Sequence, residues 1–216
     1  MALHRPQLDL REPRHLVPGT SSELLGEAEG LSFEGQELVG EDISGGSFVE
    51  CSLQNLYVMD SDLSAVTIAE TWIRGLNAPH LSAPRSSWRD VLLTGSRIGA
   101  ADLYDGVLDS VHIQGSKLDL VNLRGAKLSD VVFENCTIGE LDLAGCSAKR
   151  VQFIGCQVET FAATQASFAH VDLTGAELSR IIGIDSLRGA VISPMQLSEL
   201  APSLAEHLGL TVLEDI

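Results

Sequence analysis

Four cysteines and six histidines are the residues of this 216-residue chain best suited to metal or thiol chemistry, and their spacing argues against both. The histidines stand at 4, 15, 80, 112, 170 and 207, and no two of them share a ligand spacing. Cys51, Cys136, Cys146 and Cys156 are separated by multiples of five, so they fall on one step of a regular lattice. Thiols that share one lattice position share one environment, and the residues around these are small and apolar. They read as buried, reduced side chains, with no disulfide and no metal. Carboxylates form the other chemical pattern. Asp42, Asp62, Asp102 and Asp142 recur at multiples of twenty, with Ser82 and Asn122 filling the gaps. Acids strung out on that interval cannot converge on one substrate atom as a general acid and base. They can present a row of charge to another surface. The chemistry therefore points away from an enzyme, and no cofactor is implied.

A five-residue period is what must position these side chains. Stepping by five from Phe33 reaches Leu38, Ile43, Phe48, Leu53 and Val58, and continues to Leu178 without meeting a polar residue. The small members of this column are Ala78, Ala83, Ala148 and Ala163. Helices repeat every 3.6 residues and strands every 2, so neither can use such a period. A coil with flat sides of five residues can. Two residues before the column the chain carries Cys51, Ser61, Ser96, Ala126 and other small residues, which would share a narrow interior. Two residues after it, Gly recurs at 35, 40, 45, 75, 95, 115, 125, 145, 155 and 175, where a corner would favour positive φ. Pro79 and Pro84 follow the column by one residue, a turn position that suits a fixed φ. Ala78, Ala83 and Trp88 are successive column residues, so two undersized side chains share a coil with an oversized one. Trp88 is thus read as core.

The segments Ala101-Asp102-Leu103, Val121-Asn122-Leu123-Arg124-Gly125-Ala126-Lys127-Leu128 and Val171-Asp172-Leu173-Thr174-Gly175-Ala176-Glu177-Leu178 resemble the A-(D/N)-L-x-x pattern of pentapeptide repeat proteins. The resemblance covers about residues 31–192. It implies an all-β fold, a right-handed quadrilateral parallel β-helix whose coils stack at about 4.8 Å. Residues 1–30 are then an N-terminal cap or irregular segment, with a short helix starting near Ser22, and 193–216 a short C-terminal helical cap. The phase slips after Leu178, with Ile182, Leu187 and Ile192 continuing inward in a new register. Ser193-Pro194-Met195-Gln196 has the form of a capping box. Leu197, Leu200, Leu204 and Leu208 follow at helical spacing, and Pro202 predicts a break or kink into two short helices. Those four leucines either cover the open coil or join two copies. The resemblance to fluoroquinolone-resistance members with a C-terminal helical dimer module implies a homodimer.

With a period of twenty per coil, the outward columns can be read directly. Asp42, Asp62, Asp102, Asn122 and Asp142 form an acidic stripe, which either bonds nearby backbone or mimics duplex phosphates. Trp72, Leu92 and Val132, in a column with Ser52, His112 and Gln152, form an apolar stripe that marks a contact site. The chain holds 30 acidic against 14 basic residues, a net charge of −16. Such a surface repels nucleic acid and anionic lipid and suits a basic protein partner. The family resemblance implies DNA gyrase or topoisomerase IV as that partner, with the chain as a DNA mimic modulating quinolone sensitivity. A general protein-interaction or scaffold module is the alternative. The first thirty residues carry three Arg and no apolar run, unlike a signal peptide, and no stretch is long enough to span a membrane, so the expected compartment is the cytoplasm.

Overall fold

The computed structural model describes residues 3–212, and in them the five-residue period winds into a parallel right-handed β-solenoid of about eight turns closed by one C-terminal helix. Each coil hydrogen-bonds to the next in a register of twenty residues. Trp88 pairs with Ile68 on one side and Leu108 on the other, and Ala101 lies between Leu81 and Val121. Every column position from Phe33 to Leu173 is buried, and Leu178 is partly buried at the open end. Ala78, Ala83 and Trp88 share one coil as the volume argument requires. The Trp88 indole donates to Ser86 Oγ at 2.9 Å, so its polar edge is satisfied inside the core.

Small residues two before the column serve the backbone as well as the volume. Thr71 Oγ1 accepts the Cys51 amide at 3.1 Å, and Ser61, Ser96 and Ser116 accept the amides of Glu41, Leu76 and Ser96. At these corners the strands bend away from one another, and the hydroxyl carries the bond from coil to coil that the carbonyl no longer reaches. Where cysteine holds the position, the thiol donates to a carbonyl: Cys51 to Ala28, Cys136 to Ile113, Cys156 to Phe133. All four cysteines are buried and free. Burial, with the Asp142 charge adding to it, pushes the Cys146 thiol up to about 12, so it stays protonated.

The corners depart from a glycine rule. Positive φ is taken not only by Gly35 or Gly125 but by Asn55, Asp60, Asp90, Asp105, Asp130, Arg150 and His170. Asn and Asp tolerate this region through local hydrogen bonds, and the stacked coils hold the others there. Gly175, expected to need positive φ, does not take it. Pro84 sits in a two-residue turn with Arg85, but Pro79 lies inside the strand Asn77–Ser82. At that corner His80, Ala100, Leu120, Glu140 and Thr160 do not take positive φ, and the strands run on through it.

Both ends differ from the expectations. The coil register starts before residue 31: Glu27–Glu29 pairs with Ser47–Val49, and Val17–Pro18 with Leu31–Ser32. The helix α1 (Ser21–Leu24), fixed by a Thr20–Glu23 capping box, drops Leu24 into the core. At the other end Ile181, not Ile182, packs inward, opposite Phe161, and Ile182 is exposed. The slip falls later, between Gly183 and Gly189, because Ala190 pairs with Val171 at an offset of nineteen. The helix α2 (Pro194–His207) then runs unbroken through Pro202. Proline costs one amide donor there, but the residues around it are exposed, so water serves the freed carbonyl and the helix continues.

Gln196 on the first turn of α2 is the seal. Its Nε2 donates to the carbonyls of Leu173 and Ala176, both at 2.7 Å, while Oε1 accepts the Ser193 amide at 2.8 Å. The offset from Gln196 to Leu173 is the same 23 residues that separate Cys51, Cys136 and Cys156 from their carbonyls. The side chain therefore takes the place that the next coil would fill.

Candidate protein-interaction surfaces

The acidic column is assembled as one continuous ladder, with Asp42 bridged to Asp62, Asp62 to Ser82, Ser82 paired with Asp102, Asp102 with Asn122, and Asn122 with Asp142. Its carboxylates are largely engaged with their own surroundings. Asp42, Asp62 and Asp142 each accept the amide two residues on, at 2.8–3.0 Å, from Ser44, Ser64 and Ala144. The Ser44 hydroxyl and amide hold the Asp42 carboxyl below its ordinary value. At Asp102 burial raises the pKa, but hydrogen bonds from His80 and Asn122 and the His80 charge outweigh it, and the carboxyl stays below its ordinary value. Asp142 is buried and forms an ion pair with Arg124. Asp42 and Asp62 are the members open to solvent.

The column of Trp72, Leu92 and Val132 is also in register, but it is not an open patch. Val132 is buried, and Trp72 and Leu92 are half-buried. The Trp72 ring carries the Arg74 guanidinium at 4.5 Å, and Arg74 is held at 2.8 Å by Glu12. Glu12 belongs to a segment that the five-residue period does not reach. Residues 3–14 form no strand or helix and lie along the rod axis. The His4 amide meets His170 Nδ1, the Gln7 amide donates to Asp130 at 2.9 Å, and the Asp9 amide to Ser110 Oγ at 3.0 Å. Leu3, Pro6, Leu8, Leu10 and Pro13 are half-buried while most residues between them are exposed. This segment is a strap, and the corner residues Ser110, Asp130 and His170, all at positive φ, are its anchors. Asp130 is held below its ordinary pKa by Arg150, against the cost of burial and with help from the Gln7 amide. Two signals for the strap stand in the sequence. One is the apolar alternation from Leu3 to Pro13. The other is a corner column of Glu50, Glu70, Asp90, Ser110, Asp130, Arg150 and His170 that contains no glycine.

Among the leucines of α2, Leu200 and Leu204 are half-buried, while Leu197 and Leu208 are exposed together with Met195 and Leu210. No described helix is long and apolar enough to cross a membrane. Among the described residues, no group of three or more His, Cys, Asp or Glu is placed to hold a metal ion.

No protein-family model matches the sequence, and no curated protein does. Among solved structures the chain is similar to QnrB1, a plasmid-mediated fluoroquinolone resistance protein, at 20% identity over 80% of this chain and 99% of that one, with a TM-score of 0.49. It is also similar to HetL, a pentapeptide repeat protein involved in heterocyst differentiation regulation from the cyanobacterium Nostoc. The identity there is 16%, over 78% of this chain and 90% of that one, with a TM-score of 0.21. Likeness at these levels bears on no partner.

Proposed function

We propose that this chain, whose five-residue period builds a coil like that of pentapeptide repeat proteins, acts without catalysis, as an acidic rod that occupies the basic groove of a DNA-binding protein. The observation that carries this is charge per length. About eight turns at about 4.8 Å give a rod of roughly 38 Å. Residues 31–192, which wind that length, carry 21 acidic and 11 basic side chains, so the rod bears one net negative charge per about 3.8 Å, against about 1.7 Å along duplex DNA. A type II topoisomerase, DNA gyrase or topoisomerase IV, is the partner class that fits, with modulation of quinolone sensitivity as the consequence. Carboxylates such as Asp42 and Asp62 would displace counterions from lysines and arginines that otherwise hold phosphate. The exposed apolar residues of α2, Leu197 and Leu208 among them, would join two such rods into a homodimer in the cytoplasm.

One observation favours a second reading, a general protein-interaction module with an unrelated partner. The carboxylates of Asp102 and Asp142 are already bound by His80, Asn122 and Arg124, so much of the stripe's charge is satisfied within the rod. A gyrase supercoiling assay, with and without a fluoroquinolone, separates the two. The first reading expects inhibition or rescue at micromolar protein, weakening steeply with salt, and reduced about tenfold by charge reversal at Asp42 and Asp62. The absence of both inhibition and rescue would overturn the first reading and leave the module reading standing.

A further inference from the structure

We propose that the track beneath residues 3–14 is a docking site for an extended peptide of a partner protein, with apolar residues at every second or third position and cationic residues between them. The strap is its built-in competitor. This surface is distinct from the acidic stripe, and the inference does not depend on the topoisomerase reading. The strap itself supplies the template. Its apolar residues face the track, its amides at Gln7 and Asp9 donate to Asp130 and Ser110, and Arg5, Arg11 and Arg14 lie between. Arg11 and Arg14 line one groove with Glu50 and Glu70, and this acidic end sets the complementarity, since Asp130 is paired with Arg150 and the strap's own Glu12 with Arg74. Such charge complementarity selects a basic segment over an acidic one.

Two features mark the strap as a replaceable occupant. It pairs with no strand: its described hydrogen bonds to the coil are three amides reaching side chains and one exposed ion pair between Glu12 and Arg74. The exposed ion pair adds little, and the amide bond to the Asp130 carboxylate is the strongest of these contacts. It also leaves a donor unserved. Trp72, whose ring lies under the Arg74 that Glu12 holds, has its Nε1 buried with no acceptor. A peptide offering a carbonyl there would bind better than the strap does. His15, at φ 59, is the point where the strap leaves the coil, and a non-glycine residue held there stores strain that release would relieve.

The test uses the full chain and a fluorescein-labelled peptide with the sequence of residues 3–15. In a variant carrying Leu8→Asp and Leu10→Asp, which loosens the strap and touches no core residue, the peptide should bind at least about tenfold more tightly than to the unaltered chain. Ser110→Ala added to that variant should weaken capture several-fold, and Trp72 emission should shift on binding. No capture by the loosened variant would overturn the proposal, as would exchange of straps between two copies in place of peptide capture. Hydrogen exchange on the unaltered chain provides a second check. The amides of Gln7 and Asp9 should exchange at least about a hundredfold faster than that of Val111 in the coil. Equal protection would make the strap a fixed part of the fold and the track no docking site.

Discussion

Replacing Gln196 by leucine should open the last coil while leaving the first coils as they are. The substitution keeps side-chain size and helix propensity close to the original but removes three hydrogen bonds, to Leu173 O, Ala176 O and from the Ser193 amide. Each such bond contributes about 0.5–1.5 kcal/mol net; the Leu173 carbonyl keeps the Ala176 amide as a donor, and the Ala176 carbonyl loses its Gln196 donor. The expected loss is therefore about 2–4 kcal/mol of local stability. In a solenoid, stability is a sum of neighbouring interfaces, so the loss stays near the end where it occurs. Hydrogen exchange should show the amides of Val171, Leu173 and Ala176 losing protection by about 30- to 700-fold, with those near Phe48 and Leu53 unchanged. Gln196→Glu should behave similarly, because the carboxylate cannot donate to the two carbonyls. Unchanged protection at the last coil, or an equal loss at both ends, would refute the idea that this one amide stands in for a missing coil.

Other outcomes follow from the same structure. Trp88→Ala should cost about 3–5 kcal/mol in urea unfolding, because its coil neighbours Ala78 and Ala83 cannot fill the space; a loss below 1 kcal/mol would contradict the volume argument. Thr71→Val preserves shape but leaves the Cys51 amide without an acceptor, and should destabilise by about 1–3 kcal/mol, whereas an exposed control such as Thr67→Val should not. Asp130 and Asp102 have folded pKa values below their unfolded ones. The stability they add is fully present above the ordinary carboxyl range near pH 3.8 and is lost as pH falls through the depressed values. Asp130→Asn should therefore flatten the acid limb of stability against pH, and an unchanged slope would show that the Arg150 pair does not act as described.

The parts of the fold that could be read from sequence share one property, which is that the five-residue column enforces them. Burial of Trp88, the position of the four cysteines and the stacking of Asp42 on Asp62 all follow once the period is counted. Features outside the period were hidden. The strap uses no repeat, and its anchors Ser110, Asp130 and His170 look like ordinary surface residues until the corner is known to lack glycine. Gln196 is legible as a helix cap, but its second role depends on where α2 crosses the open coil. Pro202 misled because exposure, which sequence does not show, decides whether a lost amide breaks a helix. The residues of the two candidate surfaces stack in columns, but their environments differ from those the period alone suggests. Periodicity tells which residues stack but not whether Asp142 meets Arg124 or whether Val132 is covered.

The strap also acts as a gauge. His4 and Glu12 are eight residues apart, and an extended chain of that length spans about 26 Å. Their anchors, His170 and Arg74, are nearly five coils apart, or roughly 23 Å along the rod. The strap is therefore drawn almost taut. A repeat protein can ordinarily gain or lose a twenty-residue coil by duplication without penalty to its neighbours. Here a gained coil would stretch the span between those anchors to about 28 Å, close to the full reach of eight extended residues, and a lost one would leave the strap slack, so the N-terminus tallies the coils it crosses.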